Sequence, residues 1–209
     1  MRQPPARATI GLVVATSLAW AVVASSGLTD RAAVLGGFIP ARFGPAPVLA
    51  GAVPAVLTPL TATLLHAGVL HLVFNMLMLG FCGRFVEAAL GPGGTLIIYG
   101  IGAYAAAAGQ YVADPTSFSP MIGASGAASA VLGAYALLYG RQVTTAKGPL
   151  SAQIVSVLWL AAAWIGLQVL VSYAASGENM AIATAAHVGG FLCGLVLARP
   201  LLLWRYRHA

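Results

Sequence analysis

The sequence predicts an all-α membrane protein with six transmembrane helices and a long membrane-associated loop between the first two. Of its 209 residues, 60% are hydrophobic and only 7% are charged, whereas a soluble domain carries about 25% charged residues. Such a chain lacks the polar side chains that are needed to cover a water-facing surface. Apolar runs of about 20 residues, the length that spans a bilayer as a helix, recur along it. We expect a single domain over residues 1–209.

Each of the six predicted helices corresponds to one apolar segment. The segments cover residues 8–26, 65–88, 95–112, 122–140, 153–174 and 182–204. The second segment is the most polar, because histidines, an asparagine and two charged residues interrupt it. The loop over residues 27–64 contains apolar stretches that are too short to span. We therefore expect it to lie in the membrane interface or to re-enter against the bundle.

Basic residues predict the orientation of these helices. With a cytoplasmic N-terminus, eight lysines and arginines lie inside and two lie outside. The inner ones are Arg2, Arg7, Arg84, Arg141, Lys147, Arg199, Arg205 and Arg207, and the outer ones are Arg31 and Arg42. The positive-inside rule then places both termini in the cytoplasm, and we expect a bacterial plasma membrane. The net charge of +6 reflects this orientation, so the expected partner is the lipid bilayer and not nucleic acid.

A serine flanked by small residues opens the fourth segment. The sequence around Ser125 reads G-A-S-G-A. Gly123 and Gly126 leave room for a peptide backbone to approach the hydroxyl, and unpaired N–H groups at a helix N-terminus suit a developing oxyanion. The alternative interpretation is a patch of small residues that packs two membrane helices together.

A histidine opens the sixth segment at the same predicted depth. His187 begins the sequence H-V-G-G, and Gly190 and Gly194 follow on nearly the same helical face. Because the fourth and sixth segments run in the same direction, Ser125 and His187 lie at one level, toward the outer face. A serine and a histidine in contact make a nucleophile and its base. No carboxylate is placed to orient His187, so we expect a dyad; the alternative is a buried histidine bonded to a backbone carbonyl.

The second segment supplies further polar side chains at this depth. His71 and Asn75 are four residues apart and share a face, and His66 lies five residues before His71. A neutral imidazole and an amide both donate hydrogen bonds, so these side chains suit the stabilisation of an oxyanion. The alternative is a metal site, but zinc proteases use H-E-x-x-H, which this segment lacks. We expect no metal and no cofactor.

Together these motifs resemble those of the rhomboid family of intramembrane serine proteases, over a core of about residues 57–204. The nucleophile motif, the histidine helix, the H-x-x-x-x-H-x-x-x-N segment and a G-x-x-x-E-x-x-x-G stretch from Gly83 through Glu87 to Gly91 all have counterparts in this chain. The resemblance implies a rhomboid-like bundle in which Ser125 and His187 are catalytic. It further implies that His66 and Asn75 help bind the oxyanion, and that His71 supports the site structurally.

Two positions depart from the family pattern. The family often carries Trp-Arg eight or nine residues before the first histidine, where this chain has Leu57 and Thr58. This departure leaves the conformation of the long loop open. The family also often has an aromatic residue four positions after the serine, stacked on the dyad histidine, where this chain has Ser129. We therefore expect His187 to be held less firmly or by a different contact.

The sequence thus predicts an intramembrane serine endopeptidase that cleaves transmembrane helices of single-pass or other membrane proteins near the outer face. We expect residues 176–181, directly above His187, to act as a cap. Two alternatives stay open. One is a non-catalytic member of the same fold that binds transmembrane helices for quality control. The other is a small transporter with a histidine proton relay, which would commonly show inverted repeats and interrupted helices; neither is visible in the sequence.

Overall fold

The computed structural model describes residues 5–45, 49–140, 152–176 and 183–207, and its regular structure there is helical. Within these ranges seven α-helices follow one another in chain order: α1 (Arg7–Ser25), α2 (Thr29–Gly36), α3 (Thr58–Thr61), α4 (Val69–Ala113), α5 (Ser125–Tyr139), α6 (Ala152–Ser176) and α7 (Thr184–Arg205). Short 3-10 turns cover Pro40–Phe43, Ala55–Leu57 and Ala62–Leu64. The predicted all-α class is confirmed over these residues. Residues 177–181 of the expected cap lie outside them, and the cap remains a prediction.

The 45-residue helix α4 contains the second and third predicted segments and turns back on itself. Gly91 has φ 77°, a left-handed conformation that glycine adopts readily, and Pro92 follows it. We call residues 69–90 the first arm of α4 and residues 92–113 the second arm. His71 of the first arm and Ala106 of the second both lie against the start of α5, so the two arms are antiparallel. The break between two predicted helices is therefore a single distorted residue.

Three of the described helices are long and apolar enough to cross a membrane by length and composition: α1, α4 and α7. Helix α5 and the stretch Ile154–Leu167 of α6 are shorter apolar helices. The apolar helical bundle is thus observed, whereas the number of six crossings remains a prediction.

Helix α5 lies at the centre of the bundle, packed against both α4 and α7. Most of its side chains are buried, and small residues let the neighbouring backbones approach closely. A Cβ on Gly133 would collide with the Phe191 carbonyl of α7, and one on Gly194 would collide with the Ala130 carbonyl of α5. The predicted close packing of the fourth and sixth segments through small residues is therefore observed.

The chain between α1 and α4 packs against the residues that precede α5. Phe38 and Met121 exchange two backbone hydrogen bonds of 3.0 and 2.8 Å. At the position where the family pattern carries Trp-Arg, the Thr58 hydroxyl donates to the carbonyl of Ala55 at 2.6 Å. The chain thus forms a local turn at this position. The relation of this loop to a membrane stays a prediction.

The far end of the bundle is held together around Glu87. Its carboxylate accepts hydrogen bonds from the backbone N–H groups of Ala8 (2.9 Å) and Thr9 (2.8 Å) and from the Thr9 hydroxyl (2.7 Å). A carboxylate suits this place because the first N–H groups of a helix have no intrahelical acceptor. Arg205 of α7 donates to the Ala88 carbonyl at 2.9 Å. The first arm thereby links the start of α1 to the end of α7.

Candidate active site

Ser125 is the first residue of α5, and the backbone just before it is held in place by two hydrogen bonds. The Gly123 N–H donates to the Ala62 carbonyl at 2.9 Å, and the Ala124 N–H donates to His66 Nε2 at 3.3 Å. Gly123 has φ 118°, which a residue with a Cβ rarely adopts. The direction in which the Ser125 side chain leaves the backbone is therefore set from both the loop and the chain just before α4.

His187 contacts the serine directly. Its Nε2 atom lies 2.9 Å from Ser125 Oγ, within the reach that a general base needs. Both side chains are buried, at 5% and 7% exposure, which protects the contact from competing water. The Nδ1 atom of His187 has no hydrogen-bond partner among the described residues. Within that part of the chain, no carboxylate orients the imidazole.

A cavity of about 260 Å³ opens over this pair. Its walls include Ser125, His187, His71, Gly123 and Gly126. A Cβ on Gly123 would lie 2.8 Å from His71 Nε2 and 3.7 Å from Ser125 Oγ. The absence of a side chain at Gly123 therefore brings the His71 ring close to the nucleophile and leaves space beside both.

His66 lies behind His71 and does not line the cavity. Its ring meets that of His71 edge to face, with centroids 4.9 Å apart, and it is only 1% exposed. Because Nε2 accepts the Ala124 N–H, the neutral ring carries its proton on Nδ1. His71 thus faces the cavity, whereas His66 faces the backbone that precedes α5; the roles of both remain predictions.

Asn75 is fully buried one turn deeper than His71. Its Nδ2 donates to the His71 carbonyl at 2.7 Å, so the structure connects it to the backbone that carries His71. All five polar residues singled out in the sequence therefore gather at one end of the bundle. Over the described residues, no group of three or more histidines, cysteines, aspartates or glutamates is placed to hold a metal ion.

The structure adds Trp164, a residue near the site that the sequence analysis did not single out. The Trp164 indole N–H of α6 donates to Ser129 Oγ at 2.7 Å, and Ser129 Oγ donates to the Ser125 carbonyl at 2.7 Å. A tryptophan in an apolar helix carries an N–H that needs a partner once it is buried. This need is the feature of the sequence from which the contact could have been predicted. Ser129, noted only as a departure from the family pattern, is the acceptor.

The chain is similar in sequence to known proteins over most of its length. A family model described as the Rhomboid domain matches residues 54–204. The chain is 32% identical over 137 residues to the Rhomboid protease GlpG of Pectobacterium atrosepticum, an alignment that covers 65% of this chain and 45% of that protein. It is 31% identical over 147 residues to the Rhomboid protease GlpG of Serratia proteamaculans, covering 69% and 46% respectively. The chain thus spans less than half the length of these curated relatives.

Proposed function

Because the chain belongs to the rhomboid family, we propose that it is an intramembrane serine endopeptidase in which Ser125 is the nucleophile and His187 its base. The family and the apolar helices make the chain an integral membrane protein. The observation that carries the catalytic assignment is the 2.9 Å contact between Ser125 Oγ and His187 Nε2, on the wall of a cavity. A serine hydroxyl is a weak nucleophile, and a hydrogen bond to a histidine base activates it.

The proposed reaction has two halves. Ser125 Oγ attacks the scissile carbonyl while His187 Nε2 takes the hydroxyl proton, and His187 then gives that proton to the leaving amine. Water then attacks the carbonyl of the resulting ester while His187 Nε2 takes a proton from it. The ester C–O bond breaks, His187 returns that proton to Ser125 Oγ, and the second product leaves as a carboxylic acid. Neither half needs a metal or a cofactor.

The oxyanion donors come from two elements. The first N–H groups of a helix have no intrahelical acceptors, and the N–H groups of Ser125 and Gly126 belong to the first turn of α5. His71 contributes its ring N–H from the opposite side, because its Nε2 lies beside Gly123. Donors of this kind, fixed in advance around the developing charge, are each worth about 10²–10³ in rate.

His66 and Asn75 take supporting roles. His66 fixes the Ala124 N–H, and with it the backbone that carries the nucleophile. Asn75 binds the His71 carbonyl and thereby stabilises the turn of α4 that places the His71 ring. The family resemblance suggested the reverse order for the two histidines, whereas the cavity geometry supports His71 as the donor and His66 as the support.

The proposed substrate is a transmembrane helix of a single-pass or other membrane protein. A helix hides its carbonyls in i to i−4 hydrogen bonds, so it must unwind locally before attack. Small or helix-weakening residues favour that step, and the unwound segment would enter the cavity of about 260 Å³ beside Ser125. With both termini in the cytoplasm, as the basic residues predict, cleavage occurs near the outer end of the substrate.

A fluorophosphonate probe tests the assignment. The purified protein should be labelled at Ser125 and should cut a model transmembrane substrate, and Ser125→Ala should lose both properties while remaining folded. Ser26→Ala is the matched control, because Ser26 is exposed at the end of α1 and does not line the cavity; it should keep both. Cleavage at the same bond by Ser125→Ala would refute the nucleophile. A wild-type protein that binds the substrate helix but takes no label would point to the quality-control alternative.

A further inference from the structure

Trp164 anchors α6 to the rest of the bundle. Among the α6 side chains that the structure describes, residues 154–167 and 170, only that of Trp164 is buried. It is 2% exposed, whereas Leu158 is 56% and Trp159 is 72% exposed on the same helix. Helix α6 contacts the bundle far less than α5 or α7 does. Val157, Leu160, Ala161 and Leu167 also pack against the core, but Trp164 is the α6 side chain that reaches furthest into it among those described.

Trp164 is connected by hydrogen bonds to the backbone carbonyl of Ser125. Ser129 has a single hydroxyl proton, and it donates that proton to the Ser125 carbonyl. Its lone pairs are then free to accept the Trp164 indole N–H. Hydrogen bonds joined through one hydroxyl strengthen each other in a low-dielectric interior, and Ser129 is 0% exposed. A continuous path of 2.7 Å contacts thus runs from α6 to Ser125.

Ser129 also lies close to α7, the helix that carries His187. A Cβ on Gly190 would lie 3.4 Å from Ser129 Cβ, and Gly190 follows His187 by three residues on α7. The side chain at position 129 is therefore confined between α6 and α7.

Building on the proposed function, we infer that Trp164 is a positioning residue for the nucleophile. Through the Ser129 hydroxyl, its indole N–H holds the first turn of α5 in the orientation that aims Ser125 Oγ at His187. Trp164 does not touch the reacting atoms. It acts indirectly, because the position of α6 against α5 determines the position of the Ser125 backbone.

A double-mutant cycle with the fluorophosphonate probe tests this role. The variants are Trp164→Phe, Ser129→Ala and the pair together, and Trp159→Phe is the matched control on the exposed face of α6. Loss of one buried hydrogen bond corresponds to a change of up to about tenfold. We expect each single variant to lower the second-order labelling rate at Ser125 by about three- to tenfold, with an unchanged final labelled fraction. The pair should be no slower than the slower single variant.

Each other outcome overturns the inference. A lower melting temperature and labelled fraction with an unchanged rate constant would make Trp164 purely structural. Effects that multiply in the pair would show that the two residues act separately. Since Ser129→Ala should also shift the indole N–H resonance of Trp164 in protein labelled with 15N-tryptophan, an unmoved resonance would disprove the bond itself. Wild-type protein without labelling would defeat the proposed function and the inference together, whereas normal labelling of every variant defeats the inference alone.

Discussion

Gly190→Ala is expected to slow the proposed cleavage reaction by forcing α5 and α7 apart. A Cβ at this position would collide with the carbonyl oxygen of Gly126 and would lie 3.1 Å from the carbonyl carbon. Both atoms belong to the backbone of a buried helix turn, so they cannot rotate away as a flexible side chain would. Helix α7 must move instead, and His187, three residues earlier, moves with it.

The size of the effect follows from the contact at the site. Ser125 Oγ and His187 Nε2 are 2.9 Å apart, and a separation about 1 Å larger lies beyond hydrogen-bond reach. A misplacement of that size can cost roughly 10²-fold in rate. We therefore expect Gly190→Ala to lower kcat by one to two orders of magnitude, about 10- to 100-fold, and Gly190→Leu to be more severe.

The assay compares kcat on a transmembrane substrate, the labelling rate of Ser125 and the melting temperature. Gly80→Ala is the matched control, because a Cβ there meets no atom within 4 Å. It should keep full activity, and its stability should hold or rise, since alanine is the better helix former. If Gly190→Ala works at the wild-type rate with the wild-type melting temperature, the close α5–α7 interface does not control the site.

The remaining site predictions separate catalytic from supporting residues. His187→Ala should lower kcat nearly as much as Ser125→Ala, because serine is a weak nucleophile without its base. His71→Ala should lower kcat by about 10²-fold through loss of an oxyanion donor, with little change in melting temperature. His66→Ala should lower the melting temperature as well, because it leaves the buried N–H of Ala124 without an acceptor. Thermal melting beside kcat measures the difference, and the opposite pattern for the two histidines would exchange their roles.

Hydropathy predicted the apolar helices well because burying a backbone in lipid requires helical hydrogen bonding over long runs. It placed the start of α5 within a few residues of Ser125 and that of α7 within a few residues of His187. It did not predict that residues 69–113 continue as helix on both sides of a break confined to Gly91. A glycine followed by proline signals a turn, but it does not reveal how short that turn is.

The candidate site was accessible to sequence reasoning because membrane depth supplies a coordinate that soluble chains lack. Helices that run in the same direction bring their N-terminal residues to one level, which is where the structure has Ser125 and His187. The placement of His66 was not accessible in this way. It lies before α4 begins, where the 3-10 turn Ala62–Leu64 and extended backbone at Leu65 set its direction, and helical periodicity has no bearing there.

Trp164 and Glu87 show a second limit of the sequence. Each makes its decisive contact with a residue distant in the chain, 35 residues away for Trp164 and 78 or 79 for Glu87. Composition reveals that a buried indole or carboxylate needs a partner. It does not reveal which of several small polar residues provides one, because that depends on how the helices pack.

The last prediction concerns Glu87, which lies at the end of the bundle opposite to Ser125. Its carboxylate caps α1, a helix that lies outside the region matched by the family model, residues 54–204. Losing a helix cap costs about 0.5–2 kcal/mol, and in this protein the Thr9 hydroxyl loses its acceptor too. We expect Glu87→Ala to lower the free energy of unfolding by about 2 kcal/mol. The labelling rate of the folded fraction should be unchanged, because the site lies at the other end.

Melting followed by the reactivity of the thiol of Cys82, which is 1% exposed, measures the loss. Asp114→Ala is the control, because among the described residues this exposed carboxylate accepts hydrogen bonds only from Thr116 in its own turn, and surface changes of that kind alter stability little. Equal melting of the two variants would mean that packing alone holds α1 in place. A melting temperature that falls only in Glu87→Ala, with normal labelling kinetics, would show that the carboxylate stabilises the bundle without taking part in catalysis.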